Sequence, residues 1–196
     1  MVGLGNPGDR YTGTRHNVGF DVVEAFARRV EGDRPRIDRL ECRALTGRVR
    51  LGDRPILLAK PQTFMNESGQ SVKGLAVKYG VPLDRLMVVL DENALSLGSI
   101  RLRRGGSSAG HQGLQNVLDC LGTESVPRLR VGIRGRTLPP GGELPEYVLS
   151  RFSRAERPVI DAAVGLAAEA LETYVLEGID AAMNRFNRSP EDEPES

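Results

Sequence analysis

Apolar residues Val18, Val22, Val23, Phe26 and Val30 recur at three- and four-residue spacing, which predicts a helix that starts just after Asn17, a residue suited to cap it. Ahead of it, Val2 and Leu4 form a truncated first strand that ends in the turn cluster Gly5-Asn6-Pro7-Gly8. Residues 41–49 and 56–59 read as strands joined by Gly52-Asp53 into a hairpin. A helix is expected over 67–79, stopped by Gly80 and Pro82. Residues 86–90 are continuously apolar, as in a strand buried on both faces, with Asp91 as its boundary. Further on, the pattern predicts a strand over 99–103, a helix over 114–121 and a strand over 129–133, then a Gly/Pro-rich loop through 135–145. Ser153 and Glu156 have capping-box spacing ahead of a long C-terminal helix, whose stripe of Val159, Ile160, Ala163, Val164, Ala167, Leu171 and Tyr174 is core. Strand, helix and strand in alternation imply an α/β fold with a largely parallel sheet. One domain is expected over 1–188, with a disordered tail over 189–196 that has no apolar residue.

Composition narrows the function classes. A length of 196 residues with 39% apolar content suits a single globular domain. No apolar run is long enough for a membrane span and the N-terminus lacks a signal-peptide layout, so the expectation is a cytoplasmic protein without a membrane partner. Cys42 and Cys120 have neither disulfide-framework nor metal-ligand spacing, and no metal is expected. A net charge of +1 excludes binding to nucleic acid through overall charge, so any such contact must be a local patch. All but three of the 27 basic residues are arginine, which reflects coding bias or a use for bidentate phosphate contacts.

Several motifs could carry chemistry. Gly3-Leu4-Gly5-Asn6-Pro7-Gly8 fits the dinucleotide-binding pattern G-x-G-x-x-G, but residues 10–14 continue as loop where that fingerprint requires a helix, so an oxidoreductase is the weakest reading. Only two histidines exist, His16 and His111. His16, in a loop before a helix, is either a structural polar residue or a general base, and Asp91 is either a turn former or the carboxylate that fixes the His16 tautomer. Such a pair would hydrolyse with water, needing neither a metal nor a covalent nucleophile. Asn6 and Asn66 could hold a peptide backbone or a developing oxyanion, although a helix cap is the leading reading of Asn66 on its own. Arg101, Arg103 and Arg104 precede a glycine-rich loop that ends in His111, which suits phosphate binding or a solvated strand face.

In this order, Gly3 to Gly8, Tyr11 with Thr14-Arg15-His16-Asn17, Lys60-Pro61-Gln62-Thr63-Phe64-Met65-Asn66, Asp91-Glu92, Gly110-His111-Gln112-Gly113, Arg128 to Arg130 with Gly132-Ile133, and Met183 to Asn187 resemble bacterial peptidyl-tRNA hydrolases over nearly the whole chain. The resemblance implies a monomeric three-layer α/β sandwich, with a mixed, largely parallel sheet between helices, that cleaves the ester between a peptide and the 3′ end of tRNA without a cofactor. It implies that His16 is the catalytic base, Asp91 its partner, and Asn6 and Asn66 the groups that hold peptide and carbonyl. Tyr11 is placed beside the ester, His111 and Gln112 on the side facing the tRNA acceptor end, and Arg103 and Arg130 at phosphate. The chain departs from the family pattern at Gln112, where Asn is usual, at Ala94, where an acid is common, and in the short first strand. An RNA-binding module without catalysis, as in plant relatives recruited to splicing, is the competing reading from another class.

Overall fold

The computed structural model describes residues 1–32, 36–135 and 144–187, so the tail and most of the Gly/Pro-rich loop lie outside the described residues. In chain order the elements are β1 (Val2–Gly3), α1 (Val18–Glu31), β2 (Arg39–Glu41), β3 (Ala44–Leu51), β4 (Arg54–Pro61), α2 (Ser68–Tyr79), β5 (Val88–Ser96), β6 (Ile100–Arg103), α3 (Gln112–Leu121), β7 (Arg128–Arg134), α4 (Leu144–Leu149), α5 (Arg157–Glu177) and α6 (Ile179–Phe186). The strands form one sheet in the order β2-β3-β4-β1-β5-β7-β6. Its centre is parallel, β4 to β1 to β5 to β7, and its two ends are antiparallel. On one face, Val22, Val23 and Phe26 of α1 and Ala163, Ala167 and Leu171 of α5 pack against Val89, Leu129 and Val131. On the other, Val72 and Leu75 of α2 and Leu114 and Val117 of α3 pack against Val2, Val88 and Leu90. This is the expected α/β sandwich. No helix among the described residues is long and apolar enough to cross a membrane.

Four expectations change. The strand predicted over 41–49 is split by a two-residue turn at Cys42 and Arg43, both left-handed (φ 46° and 59°), into β2 and β3. Asn-Gly is the usual sequence for such a turn. Here tertiary bonds hold it, because the Arg43 carbonyl accepts from Gln62 N (2.7 Å) and from Ser71 Oγ (3.0 Å). Asp91 does not end its strand: β5 runs on to Ser96, and Asp91 pairs in register with Val131. Val159, expected in the core stripe of the C-terminal helix, is exposed because its neighbour Ile160 takes the buried position, and that helix ends at Gly178 (φ 94°), which lets α6 turn back to the outer strand. There the Asn187 side chain accepts from Leu102 N (2.7 Å) and donates to Leu102 O (2.9 Å), satisfying the exposed edge of β6 as a neighbouring strand would.

The glycine-rich start is a packing device. A Cβ on Gly3 would lie 2.1 Å from Gly19 O, and one on Gly19 would lie 2.5 Å from both Leu4 O and Val89 O. Helix α1 therefore rests on the backbone of β1 and β5, closer than side-chain packing allows. Substituting Gly19→Ala forces helix and sheet apart, and the expected loss is at or above the upper end of the ~1–3 kcal/mol seen for overpacked cores, read by urea unfolding. Unchanged stability would show that the two backbones can separate freely.

Helix α1 also carries Asp21, whose carboxyl is pushed up from 3.8 to about 6 by burial and by the nearby Glu24, against the opposing charges of Arg157 and Arg28. Between pH 4 and 6 the folded state binds a proton that the unfolded state releases, so this carboxyl weakens folding as pH rises and its full cost is reached above pH 6. Asp21→Asn should stabilise the protein at pH 7.5 by roughly 1–3 kcal/mol and confer nothing near pH 4, as measured by denaturation at both pH values.

Candidate active site

The turn of 3-10 helix Arg15–Asn17 runs straight into α1, so the close seat of α1 on the sheet carries His16 onto Asp91 of β5. His16 Nδ1 lies 2.8 and 3.0 Å from the two Asp91 carboxylate oxygens. His111 Nε2 lies 2.9 Å from Asp91 Oδ1. The two imidazoles are 5.1 Å apart between centroids, and Asp91 beneath them is only 3% exposed. Both expected histidines are thus brought to one carboxylate.

Hydrogen bonding sets the tautomers. Helix α3 begins at Gln112, two residues earlier than its apolar pattern indicates, and His111 is its N-cap: Nδ1 accepts the Leu114 N–H at 3.1 Å. That ring therefore carries its hydrogen on Nε2 and donates to Asp91. Asp91, ionised, accepts from His16 Nδ1–H as well, which leaves His16 Nε2 as an unprotonated lone pair with no protein partner among the described residues. Burial by itself would raise the Asp91 carboxyl. The charge available on His111 and His16 and the hydrogen bonds from both rings outweigh it and hold the carboxyl well below the usual range.

Two imidazoles and a carboxylate within 4.8 Å of one another also have the composition of a divalent-cation site. The lone pairs do not suit one. A cation ligated by His111 Nε2 would expel the hydrogen directed at Asp91 and, by moving it to Nδ1, set it against the Leu114 N–H. The set fits a hydrogen-bonded relay.

Asparagines join the loops around this centre. Asn17 does not cap α1 with its side chain; it forms a reciprocal pair with Asn6, accepting from Asn6 N and donating to Asn6 O, both at 2.9 Å. Asn6 Oδ1 accepts Met65 N (2.8 Å). Met65 packs so closely on α3 that a Cβ on Gly113 would meet its sulfur at 2.3 Å. Asn6, 7% exposed, is therefore a brace between segments, with its amide nitrogen left over. Asn66 is not a helix cap. It lies exposed in the 3-10 turn Met65–Glu67, and its side chain has no protein hydrogen bond among the described residues. With Gln112, Asn116 and Asp119 it lines a cavity of about 340 Å³. Tyr11 sits in the same loop as His16, where its carbonyl accepts from Thr14 Oγ1 (2.7 Å) and its ring lies under Arg10 (4.5 Å). No hydrogen bond among the described residues joins its side chain to the His–Asp–His cluster.

Beside the cavity, antiparallel pairing sets Arg101 opposite Arg130 and Arg103 opposite Arg128. Their situations differ. Arg103 is exposed, whereas the Arg130 side chain is 13% exposed and holds Glu92 at 3.0 Å, with its Nε unpartnered. Arg128 is wholly buried without a carboxylate and donates to the carbonyls of Val126 (3.0 Å), Ser107 (3.0 Å) and Glu124 (2.9 Å). Burial, with Arg130 close by, draws its guanidinium down to about 10. The pairing of Glu92 with Arg130 and the bracing of the glycine-rich loop by Arg128 left no signal in local spacing, since both depend on strand register.

Comparison with known proteins identifies the family. The family model for peptidyl-tRNA hydrolase matches residues 1–194. The peptidyl-tRNA hydrolase of Moorella thermoacetica is 48% identical over 189 residues, covering 95% of this chain and 96% of that protein. That of Syntrophomonas wolfei is 44% identical over 189 residues, covering 95% and 98%. The crystal structure of peptidyl-tRNA hydrolase from Acinetobacter baumannii superposes with a TM-score of 0.84 at 31% identity, covering 95% of this chain and 92% of that one. A relation that spans the sheet, both helical layers and the loops around Asp91 places the chain in the peptidyl-tRNA hydrolase family.

Proposed function

We propose that His16 is the general base of this hydrolase, that Asp91 orients it, and that the amides of Asn6 and Asn66 hold the peptide and the reacting carbonyl. Family membership makes the reaction hydrolysis of the ester that joins peptide to tRNA. The observation that carries the residue roles is the His16 Nδ1 contact to both Asp91 oxygens, at 2.8 and 3.0 Å, which commits Nδ1–H to the carboxylate and leaves Nε2 to take a proton.

Water attacks the ester carbonyl as its proton passes to His16 Nε2. The carbon–oxygen bond to the ribose then breaks, and the leaving ribose oxygen takes the proton from His16, so the base returns to its starting state and no covalent intermediate forms. The second imidazole donates to Asp91 throughout and keeps that carboxylate ionised and fixed. Asn66, with no protein bond to break, can donate to the carbonyl oxygen as charge builds on it. Gln112 lines the same cavity and reaches one methylene further than the usual Asn, so it contacts the acceptor end by a shifted or water-bridged bond. The enzyme acts as a monomer in the cytoplasm, and Arg103 supplies the free cation for a tRNA phosphate, with Arg130 held beside it by Glu92. The ordered hydrogen-bond relay supports catalysis over an RNA-binding module, which needs no tautomer fixed.

His16→Ala should lower kcat on peptidyl-tRNA by about 10²–10⁴-fold with folding intact, and Asp91→Asn should cost less because the base remains. Release of free tRNA from a formylated peptidyl-tRNA measures both, and near-normal turnover in His16→Ala would sink the assignment. Arg103→Ala should weaken tRNA binding and reduce the slope of log K against log salt by roughly one phosphate's worth, while a short ester lacking most of the tRNA is cleaved at the normal rate. Equal loss on both substrates would move Arg103 out of the tRNA interface.

A further inference from the structure

Arg15, immediately before His16, is buried to 6% exposure in a chain whose arginines otherwise lie largely at the surface. Its guanidinium is bound on every side. Nη2 donates to both Glu156 oxygens (3.0 and 2.8 Å), Nη1 to Ile133 O (3.2 Å) and Nε to Ser150 Oγ (3.2 Å). Its Cζ also lies over the rings of Tyr147 at 4.4 Å and Phe152 at 4.7 Å. Its backbone is held too, since Arg15 N donates to Ser150 O (3.0 Å) and Thr14 forms a β-bridge with Arg151.

The partners come from three parts of the chain. Ile133 is two residues along β7 from Val131, the register partner of Asp91. Tyr147 ends its own hydroxyl bond on the same Ile133 carbonyl (2.7 Å). Glu156 lies at the entry to α5, where its oxygens also accept Ser153 N (2.8 Å). Burial alone would raise the Glu156 carboxyl, yet Arg15 and Ser153 outweigh it and lower it, as expected of a committed ion pair. Arg15 thus joins the turn that carries His16 to the strand beside Asp91 and to the segment 147–156.

We infer that Arg15 is a positioning residue for the hydrolysis: clamped between Tyr147, Phe152 and Glu156, it fixes the 3-10 turn so that His16 meets both oxygens of Asp91 with Nε2 facing substrate. The inference rests on His16 being the base. A buried ion pair serving stability alone would need no particular neighbour. This one sits one residue from the base, in a turn of three residues, so any rotation of the turn about the clamp moves the imidazole against Asp91. Lysine cannot substitute, because one ammonium cannot reach Glu156, the Ile133 carbonyl and Ser150 Oγ from three separate nitrogens, nor offer a planar cation to the two rings.

Arg15→Lys should lower kcat about 10–100-fold, the scale of a displacement near 1 Å, with KM within a few-fold of normal and the folded state retained. The His16 Nδ1–H proton, observed by NMR in histidine-labelled protein, should shift or broaden. In a His16→Ala background Arg15→Lys should cost nothing further, since it acts through His16. If Arg15→Lys does not fold, Glu156→Gln and Phe152→Leu are held to the same criteria, each removing one side of the clamp. An unchanged kcat, a rise in KM alone, or a loss fully additive with His16→Ala overturns the inference. Near-normal activity in His16→Ala alone overturns the base assignment instead, so the two failures are distinguishable.

Discussion

At the centre of the sheet, α1 rests on β1 and β5 with only hydrogen atoms between the backbones, because Gly3 and Gly19 have no Cβ to hold them apart. Three residues before Gly19 is His16, and two residues beyond Val89 on the strand below is Asp91. Helix and strand are rigid over such distances, so the spacing between backbones is transmitted to the spacing between imidazole and carboxylate. The glycine-rich start, which by pattern alone invites a dinucleotide reading, is explained by this contact and by the Phe20 ring that lies 3.0 Å from where a Gly5 Cβ would stand.

A carboxylate as buried as Asp91 is stable only if its charge is answered. Two imidazole N–H groups answer it here, and the answer is directional. His111 is locked by its helix-capping bond into the tautomer that donates, and His16 shares the other side of the same carboxylate. One residue thereby caps α3, helps satisfy the buried charge and leaves His16 Nε2 without a protein partner among the described residues. The arrangement of the cluster depends on a helix terminus as much as on its three side chains.

Polar side chains do similar work around this centre. Asn6, Asn17, Arg15 and Arg128 each bond to backbone or side-chain groups of distant segments, and together they hold the loops at the end of the sheet in one arrangement. Among the arginines of β6 and β7, Arg128 is spent on carbonyls and Arg130 on Glu92, while Arg103 stays exposed.

Hydrophobic spacing by itself determined the α/β class and the order of strands and helices apart from β2, α4 and α6, because burial on one or two faces imposes a period that survives in one dimension. The short list of polar candidates was legible for a similar reason: with two histidines in the chain, His16 and His111 had no rivals. What tertiary structure decided is every feature set by register or by close approach. The left-handed turn at Cys42 and Arg43 carries no glycine and is held by Gln62 and Ser71, so nothing local announced it. Asp91 lies within β5 because β7 continues the ladder beyond it, and Asn66 and Asn17, each expected at a helix start, are respectively unbonded and bonded to Asn6. The clamp on Arg15 joins residues 118 to 141 positions apart. Local propensity concerns neighbours along the chain, whereas these bonds are chosen by which segments the packed core brings face to face.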